Sequence, residues 1–277
     1  MREAYVPLEG TVAYLARNDF RPGRPGLLCL HGLGDSGLAF RGAFEAPLAE
    51  KVNLLVPDLC GFGRSGAAGD YSMAAHVARL DALLAFARAE FGLPEAPLFL
   101  LGHSMGGIPA VLLAEADQGR QVRGLVLVEA PLTQQGLFVS AKARAAGERG
   151  EFDRWFEEEF MREVILGQYL RQYPFCGHYY ASLRFCRREA FLAGARDIMA
   201  FCRAGPGEAG LLAEKYAGLP MPRVYCYAEH GLAREARRFL RERDLATKSF
   251  ETDCHFIMQA RPEKFYAFLE QFLLGQG

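Results

Sequence analysis

The sequence predicts an α/β fold, in which a mostly parallel, doubly wound sheet of about eight strands is interrupted by a helical insertion after the sixth strand. Short, continuous apolar runs alternate with longer helical patterns through the first 130 residues. Such runs are typical of strands that are buried on both faces of a sheet. The strand signal then stops after Pro131 and returns after Leu219. Because strands alternate with helices, we expect right-handed βαβ units and a parallel sheet.

The part of the chain before Pro131 contains six predicted strands. Residues 4–8 and 11–16 flank the turn sequence Glu9-Gly10 and predict an antiparallel hairpin. The four apolar runs that follow are residues 27–31, 52–59, 98–103 and 122–129. Between them, helices are predicted at residues 39–51, 72–91 and 105–117.

Residues 132–219 show no convincing strand pattern and are rich in aromatic side chains. We expect several short helices here, broken near residues 147–150, Tyr173-Pro174 and Gly205-Pro206-Gly207. The alternation resumes with strands at residues 223–227 and 247–252 and helices at 232–243 and 262–274. The predicted division is therefore a core formed by residues 1–131 and 220–277, with a helical cap formed by residues 132–219.

Composition and charge exclude several classes of protein. The chain has 32 basic and 33 acidic residues, so it lacks the basic surplus that binds nucleic acid or anionic membranes. No apolar run approaches the roughly 18 residues that span a bilayer, and residues 1–7 do not resemble a signal peptide. The seven cysteines are irregularly spaced and contain no C-x-x-C pair, which favours free thiols over a disulfide or zinc framework. We therefore expect a soluble cytoplasmic protein with no metal site.

A strand-to-helix turn carries the strongest functional motif. Gly102-His103-Ser104-Met105-Gly106-Gly107 matches G-x-S-x-G, follows an apolar strand and precedes a helical run. Serine in this setting lies on a strained turn that lifts its hydroxyl above the sheet. The flanking glycines are needed because a Cβ atom there would collide with a neighbouring strand or helix. The motif predicts that Ser104 is a nucleophile.

A nucleophilic serine needs a base, and His255 is the best placed of the six histidines. It follows the last predicted strand, and loops after parallel strands gather at one edge of a sheet. Ser104 and His255 can therefore meet there. We expect His103 to point to the opposite side of the turn and His31 to shape its own loop.

With these motifs, the chain resembles the α/β-hydrolase superfamily over its whole length except the insertion. The resemblance rests on the Ser104 turn, the His255 segment, Leu30-His31-Gly32-Leu33-Gly34 and Pro57-Asp58-Leu59-Cys60-Gly61-Phe62-Gly63-Arg64-Ser65. It implies an oxyanion hole formed by the backbone N–H groups of Leu33 and Met105. It also implies an acyl pocket between the cap and the core.

The triad acid departs from the usual pattern of this superfamily. Most relatives place an aspartate shortly after the seventh strand, where this chain has Ala228-Glu229-His230-Gly231 with glycine at the expected position. Some branches, including haloalkane dehalogenases, carry the acid one strand earlier, where this chain has Glu129. A carboxylate at the end of an apolar strand needs a partner, which His255 can provide. We favour Glu129 as the acid and keep Glu229 as the alternative.

The leading functional hypothesis is a serine hydrolase that cleaves a carboxylic ester or thioester through an acyl-enzyme, without a cofactor. Its partner would be a small, hydrophobic acyl substrate. Hydrolysis of a C–C bond, lactone or amide remains open because these reactions can share the same site. The absent aspartate motivates another alternative, a weakly active or inactive ligand-binding protein on a hydrolase scaffold.

Overall fold

The computed structural model describes residues 1–203 and 209–275, and its centre is one sheet of eight strands. The strands are β1 Arg2–Leu8, β2 Thr11–Arg17, β3 Gly26–Leu30, β4 Asn53–Pro57, β5 Leu98–His103, β6 Val122–Val128, β7 Arg223–Ala228 and β8 Thr247–Phe250. Their order in the sheet is β1-β2-β4-β3-β5-β6-β7-β8. β1 and β2 form the predicted hairpin, β2 pairs antiparallel with β4, and the remaining pairs are parallel. The predicted mostly parallel, doubly wound sheet is confirmed.

Both faces of the central strands are covered. Every residue of β3, β4 and β5 is buried, as their continuous apolar sequences predict. Successive side chains point to opposite faces, so Leu28 and Leu30 join one hydrophobic cluster while Leu27 and Cys29 join the other. Apolar side chains on both faces therefore hold the sheet inside layers of helix.

The helices, in chain order, are α1 Met73–Phe91, α2 Gly107–Asp117, α3 Phe138–Glu148, α4 Phe152–Arg154, α5 Leu170–Gln172, α6 Gly177–Phe185, α7 Arg188–Phe201, α8 Leu211–Gly218, α9 Arg234–Glu242, α10 Ile257–Ala260 and α11 Pro262–Leu274. A π-helix, Trp155–Tyr169, joins α4 to α5. The single helix predicted at residues 39–51 is wrong: two 3-10 helices, Gly37–Phe44 and Pro47–Glu50, occupy this stretch. Proline is favoured in a first helical turn but breaks a helix interior, so Pro47 starts a new helix.

The described part of the segment between β6 and β7 is helical and contains no strand. An aromatic cluster, in which Trp155 stacks on Phe160 and Phe156 packs edge-on against Phe191, forms its interior. The last helix, α8, packs on the core helix α2, where Lys215 pairs with Glu115 at 2.7 Å. The break predicted at Gly205-Pro206-Gly207 lies outside the described residues. The predicted division into core and cap at residues 131 and 219 stays a prediction.

None of the helices in residues 1–203 and 209–275 is both long and apolar enough to cross a bilayer.

Candidate active site

Ser104 sits at the end of β5 in a left-handed backbone conformation, with φ of 50°. A 3-10 turn, Ser104–Gly106, then leads directly into α2. A Cβ atom on Gly102 would lie 2.6 Å from the Cα of Gly107, and one on Gly106 would lie 2.2 Å from the carbonyl oxygen of Leu30. Both distances are too short for any side chain, as the motif predicts. The turn therefore has the geometry of a nucleophile elbow.

Glu129 and His255 meet at the same edge of the sheet. Glu129 follows β6 directly and also has a left-handed backbone, with φ of 51°. Its Oε1 accepts a hydrogen bond from the backbone N–H of Ala228 at 2.6 Å, and its Oε2 lies 3.5 Å from Nδ1 of His255. The Glu129 side chain is 10% exposed and that of His255 is 42% exposed, so water reaches the pair from the histidine side. The geometry leaves Nε2 of His255 as the ring nitrogen available to other groups.

The alternative acid, Glu229, is placed differently. It is exposed, and its backbone N–H donates to the carbonyl of Phe250. Within the described part of the chain, it forms no ion pair with His255. Gly231, at the position where relatives carry aspartate, faces the same carboxylate, because its Cβ would lie 3.6 Å from Oε2 of Glu129. The structure therefore brings Glu129, and not Glu229, to His255.

His103 has a structural role that the sequence did not reveal. It is buried beside Ser104, and its Nε2 donates to the backbone carbonyl of His255 at 3.1 Å. Burial, with the nearby His255 as the next cause, lowers the pKa of His103 to about 3, so the ring is neutral at pH 7. The residue before the nucleophile thus fixes the loop that carries His255. G-x-S-x-G leaves this position open, so the motif itself gave no signal for this contact.

His31 shapes the loop after β3, as predicted. Its Nε2 accepts from the backbone N–H of Leu59 at 3.0 Å, which leaves Nδ1 to donate to the carbonyl of Gly32 at 2.9 Å. A Cβ atom on Gly32 would lie 3.2 Å from the Cβ of Ser104. The loop that carries Gly32 and Leu33 therefore runs directly against the serine.

The two expected oxyanion-hole residues are Leu33, which follows Gly32, and Met105, which follows Ser104. Both are buried. Helices from the segment between β6 and β7 pack on them. Tyr179 of α6 donates its hydroxyl to the backbone carbonyl of Leu33 at 3.1 Å. A Cβ on Gly194 of α7 would lie 2.8 Å from Sδ of Met105 and 2.9 Å from Cδ1 of Leu33. These contacts fix the loop, while the donation of the two N–H groups to a substrate stays a prediction.

Ser104, His255 and Glu129 all line one cavity of about 380 Å³. In the described residues no hydrogen bond joins Ser104 to His255, a contact that often tightens only with substrate bound. The π-helix supplies one wall of the cavity through the side chains of Phe160, Val164, Ile165 and Tyr169. No lysine or arginine lines the described wall, where the charged side chains other than histidine are Asp35 and Glu129. The cavity is therefore largely apolar and has no cationic side chain for an anionic group.

The described residues contain no group of three or more histidine, cysteine, aspartate or glutamate side chains that could hold a metal ion.

Comparison with known proteins defines the class to which this fold and site belong. The model of the Alpha/beta hydrolase family matches residues 27–268, and the chain belongs to this family. An enol-lactonase from Burkholderia xenovorans LB400 superposes with a TM-score of 0.76 at 17% identity, covering 98% of this chain and all of that one. A thioesterase domain from the curacin biosynthetic pathway superposes with a TM-score of 0.66 at 20% identity, covering 99% of each chain. At these identities the structural matches show the fold.

Mycobacterial proteins match part of the sequence. An uncharacterized protein of Mycobacterium bovis is 34% identical over 91 residues, which is 32% of this chain and 25% of that protein. Lipase LipV of Mycobacterium tuberculosis is 33% identical over 111 residues, which is 40% of this chain and 39% of the lipase. The similarity therefore spans well under half of either relative.

Proposed function

We propose that this protein is a serine hydrolase that cleaves a carboxylic ester or thioester through an acyl-enzyme on Ser104. One observation carries the proposal: a serine held in a left-handed elbow shares a cavity with a histidine that is paired to a carboxylate only 10% exposed. This combination supplies a nucleophile, a base and a group that orients the base. The membership of the Alpha/beta hydrolase family supports the same chemistry.

The proposed reaction gives each of these groups a role. Nε2 of His255 takes the proton of Ser104 as Oγ attacks the acyl carbon, while Glu129 holds Nδ1–H and stabilises the imidazolium. The backbone N–H groups of Leu33 and Met105 would bind the oxygen that becomes negative, and each such donor is worth roughly 3 kcal/mol. His255 then protonates the departing alcohol or thiol. Water, activated by the same histidine, releases the acid.

The lining of the cavity supports a neutral, hydrophobic acyl group. Apolar side chains of the π-helix cover the space above Ser104, and the two charged groups beside it are acidic. An anionic acyl group would therefore lose its hydration without gaining a cationic partner. The names of the similar proteins, a lipase, an enol-lactonase and a thioesterase domain, support the acyl class and leave the leaving group open.

The alternative of an inactive ligand-binding protein depended on the missing aspartate. Because Oε2 of Glu129 lies 3.5 Å from Nδ1 of His255, the site has a carboxylate to orient the histidine. This contact favours the enzyme over the binding protein. Hydrolysis of a lactone, an amide or a C–C bond would use the same groups and differs only in the substrate.

Labelling with a fluorophosphonate probe tests the proposal. We expect rapid labelling of the wild type and none of Ser104→Ala. Ser140→Ala is the matched control, because Ser140 is a buried serine that lines the same cavity. Turnover of neutral acyl esters, acyl thioesters and lactones, each paired with an analogue bearing a terminal carboxylate, then ranks the substrates. Failure of the folded wild type to label, or equal labelling of Ser104→Ala, would overturn the proposal.

A further inference from the structure

Two cysteines and a tyrosine form a cluster that the proposed reaction does not use. Cys176 ends the 3-10 turn Pro174–Cys176 in the segment between β6 and β7, and Cys254 immediately precedes His255. The two Sγ atoms are 3.7 Å apart, and the hydroxyl of Tyr169 lies 3.3 Å from Sγ of Cys254. The thiols are 78 residues apart in sequence, so the fold itself brings them together.

We propose that Cys176 and Cys254 are an oxidation site, at which a peroxide forms a disulfide that ties the helical segment to the loop carrying His255. A disulfide has an S–S distance of about 2.05 Å, so the sulfurs must approach by about 1.6 Å. Rotation of the side chains and a small shift of the loop can supply this movement. Residues 251–256, on either side of Cys254, belong to no strand or helix that would resist the shift.

The surroundings of Cys254 favour its thiolate, which is the reactive form. The pKa of Cys254 lies below its usual range, chiefly because the thiol of Cys176 donates a hydrogen bond to it. Burial opposes this effect, and the hydroxyl of Tyr169 lowers the pKa further by donating as well. The thiolate attacks one oxygen of the peroxide, so an S–O bond forms and the O–O bond breaks, releasing hydroxide. The thiol of Cys176 then displaces the oxygen bound to Cys254, and its proton leaves with that oxygen as water. The proton that Cys254 released on forming its thiolate neutralises the hydroxide. Two thiols and one hydrogen peroxide thus give one disulfide and two waters.

Both thiols are buried, yet each is one residue away from the surface. Asp253 and Phe175, their neighbours in sequence, are exposed. Tyr169, which contacts Cys254, also lines the cavity. A molecule as small as hydrogen peroxide can therefore approach from the cavity or through a slight opening of the loop.

Two other buried cysteines donate hydrogen bonds to the backbone. The thiol of Cys186 donates to the carbonyl of Arg187 at 3.4 Å, and that of Cys202 donates to the carbonyl of Pro131 at 3.0 Å. Cys186 lies in the same helical segment as Cys176, so it provides a matched control for oxidation.

The disulfide would act on the site through two neighbours. It draws the sulfur of Cys254 away from Tyr169, which lines the cavity, and it moves the residue next to His255. Displacements of about 1 Å in a catalytic group cost up to about a hundredfold in rate. We expect the oxidised protein to label at Ser104 at least about tenfold more slowly. This consequence rests on the proposed function, whereas formation of the bond does not.

Peptide mapping of the whole protein tests the formation of the disulfide separately from its effect on the labelling of Ser104. After treatment with hydrogen peroxide and alkylation of the remaining thiols, we expect one cross-linked peptide pair containing Cys176 and Cys254. Dithiothreitol should restore both the separate peptides and the original labelling rate. The cross-link should persist in Cys186→Ser and be absent from Cys176→Ser and Cys254→Ser.

Either of two mapping results would overturn the assignment of Cys176 and Cys254 as an oxidation site. In one, both thiols remain free in the folded wild type after treatment; in the other, they pair with other cysteines. Because mapping needs only the wild type, a variant that fails to fold does not spoil it. A mapped disulfide with an unchanged labelling rate would overturn its effect on the site. Absence of labelling in the reduced protein would count against the proposed function, and the mapping result would stand.

Discussion

Two non-glycine residues at the ends of neighbouring strands hold left-handed backbone conformations, Ser104 with φ of 50° and Glu129 with φ of 51°. Each such conformation costs about 1–2 kcal/mol for an L-residue. At Ser104 the conformation lifts the hydroxyl over the sheet. At Glu129 it accompanies the hydrogen bond from Ala228 that aims the second carboxylate oxygen at His255. Both strained residues thus present the groups to which the proposed mechanism gives roles.

The position of the acid can be tested by moving it. Glu129→Ala should lower kcat/KM at least about a hundredfold, because His255 loses the group that orients it. Adding Gly231→Asp should recover at least about tenfold, because the new side chain starts 3.6 Å from where Oε2 of Glu129 lies. Glu229→Ala, which removes an exposed carboxylate, should leave kcat/KM unchanged. A loss in Glu229→Ala equal to that in Glu129→Ala would show that the acid has been misassigned.

The elbow should also tolerate no side chain at Gly106. The Cβ of Gly106→Ala would lie 2.2 Å from the backbone oxygen of Leu30, which cannot rotate away. We expect the free energy of unfolding to fall by at least about 2 kcal/mol, measured by urea denaturation. Gly69→Ala is the control, because nothing lies within 4 Å of its Cβ. Equal stability of the two variants would contradict this packing.

At the scale of elements, the helices between β6 and β7 do more than cover the cavity. α6 and α7 both contact the loop that carries Leu33, the first through Tyr179 and the second through the close approach at Gly194. The helical segment therefore helps to set the position of the proposed oxyanion hole. Substitutions in these helices should therefore alter the rate of the chemical step, even where the substituted residue does not contact Ser104 or His255.

Tyr179→Phe tests this coupling with the loss of one hydroxyl. A hydrogen bond is worth about 1 kcal/mol net, so we expect kcat to fall about fivefold as the Leu33 loop loosens. The effect should appear in kcat more than in KM, because the loop would stabilise the transition state. Tyr180→Phe, which changes the adjacent and similarly half-buried tyrosine, should leave kcat unchanged. An unaltered kcat in Tyr179→Phe would show that α6 does not influence the loop that carries Leu33.

The elements themselves were predictable to different degrees. All eight strands were expected. The buried parallel strands β3 to β6 are continuous apolar runs, and the hairpin of β1 and β2 is marked by its turn residues. The 3-10 helices Gly37–Phe44 and Pro47–Glu50 and the π-helix Trp155–Tyr169 were not, because the same residues can form an α-helix. The sequence marks the break between the two 3-10 helices, at Pro47, and carries no comparable signal for the type of helix.

At the scale of the whole molecule, two buried histidines tie stability to pH. Burial is the largest cause that lowers the pKa values of His76 and His103 to about 3, against 6.5 for the free side chain. Both histidines therefore bind protons more readily in the unfolded state, and stability falls as the pH drops below about 6.5. The loss is about 1.4 kcal/mol per pH unit for each histidine and continues toward pH 3.

Replacing one of these histidines should flatten the pH profile. Between pH 7 and pH 5, the free energy of unfolding of His76→Gln should fall by about 2 kcal/mol less than that of the wild type. Urea denaturation at both pH values measures the difference. His230→Gln, which alters an exposed histidine, should keep the wild-type dependence. An identical pH dependence in His76→Gln and the wild type would show that the folded protein does not hold His76 in its neutral form.

The general location of the site followed from the sequence, whereas its supporting contacts did not. Loops after parallel strands meet at one edge of the sheet, so Ser104 and His255 could be brought together from their order in the chain. The hydrogen bond from His103 to the His255 backbone and the contact between Cys176 and Cys254 depend on side-chain directions across distant segments. A single sequence carries no signal for such contacts.

The most direct test of the central claim is to capture the acyl-enzyme. Rapid acid quenching during turnover of a neutral acyl ester, followed by mass spectrometry of the peptides, would locate any covalent adduct. We predict the mass of the acyl group on the peptide that contains Ser104, and its absence from Ser104→Ala, which should not turn over. Turnover by Ser104→Ala at the wild-type rate, or an adduct on another residue, would contradict a hydrolase that works through Ser104.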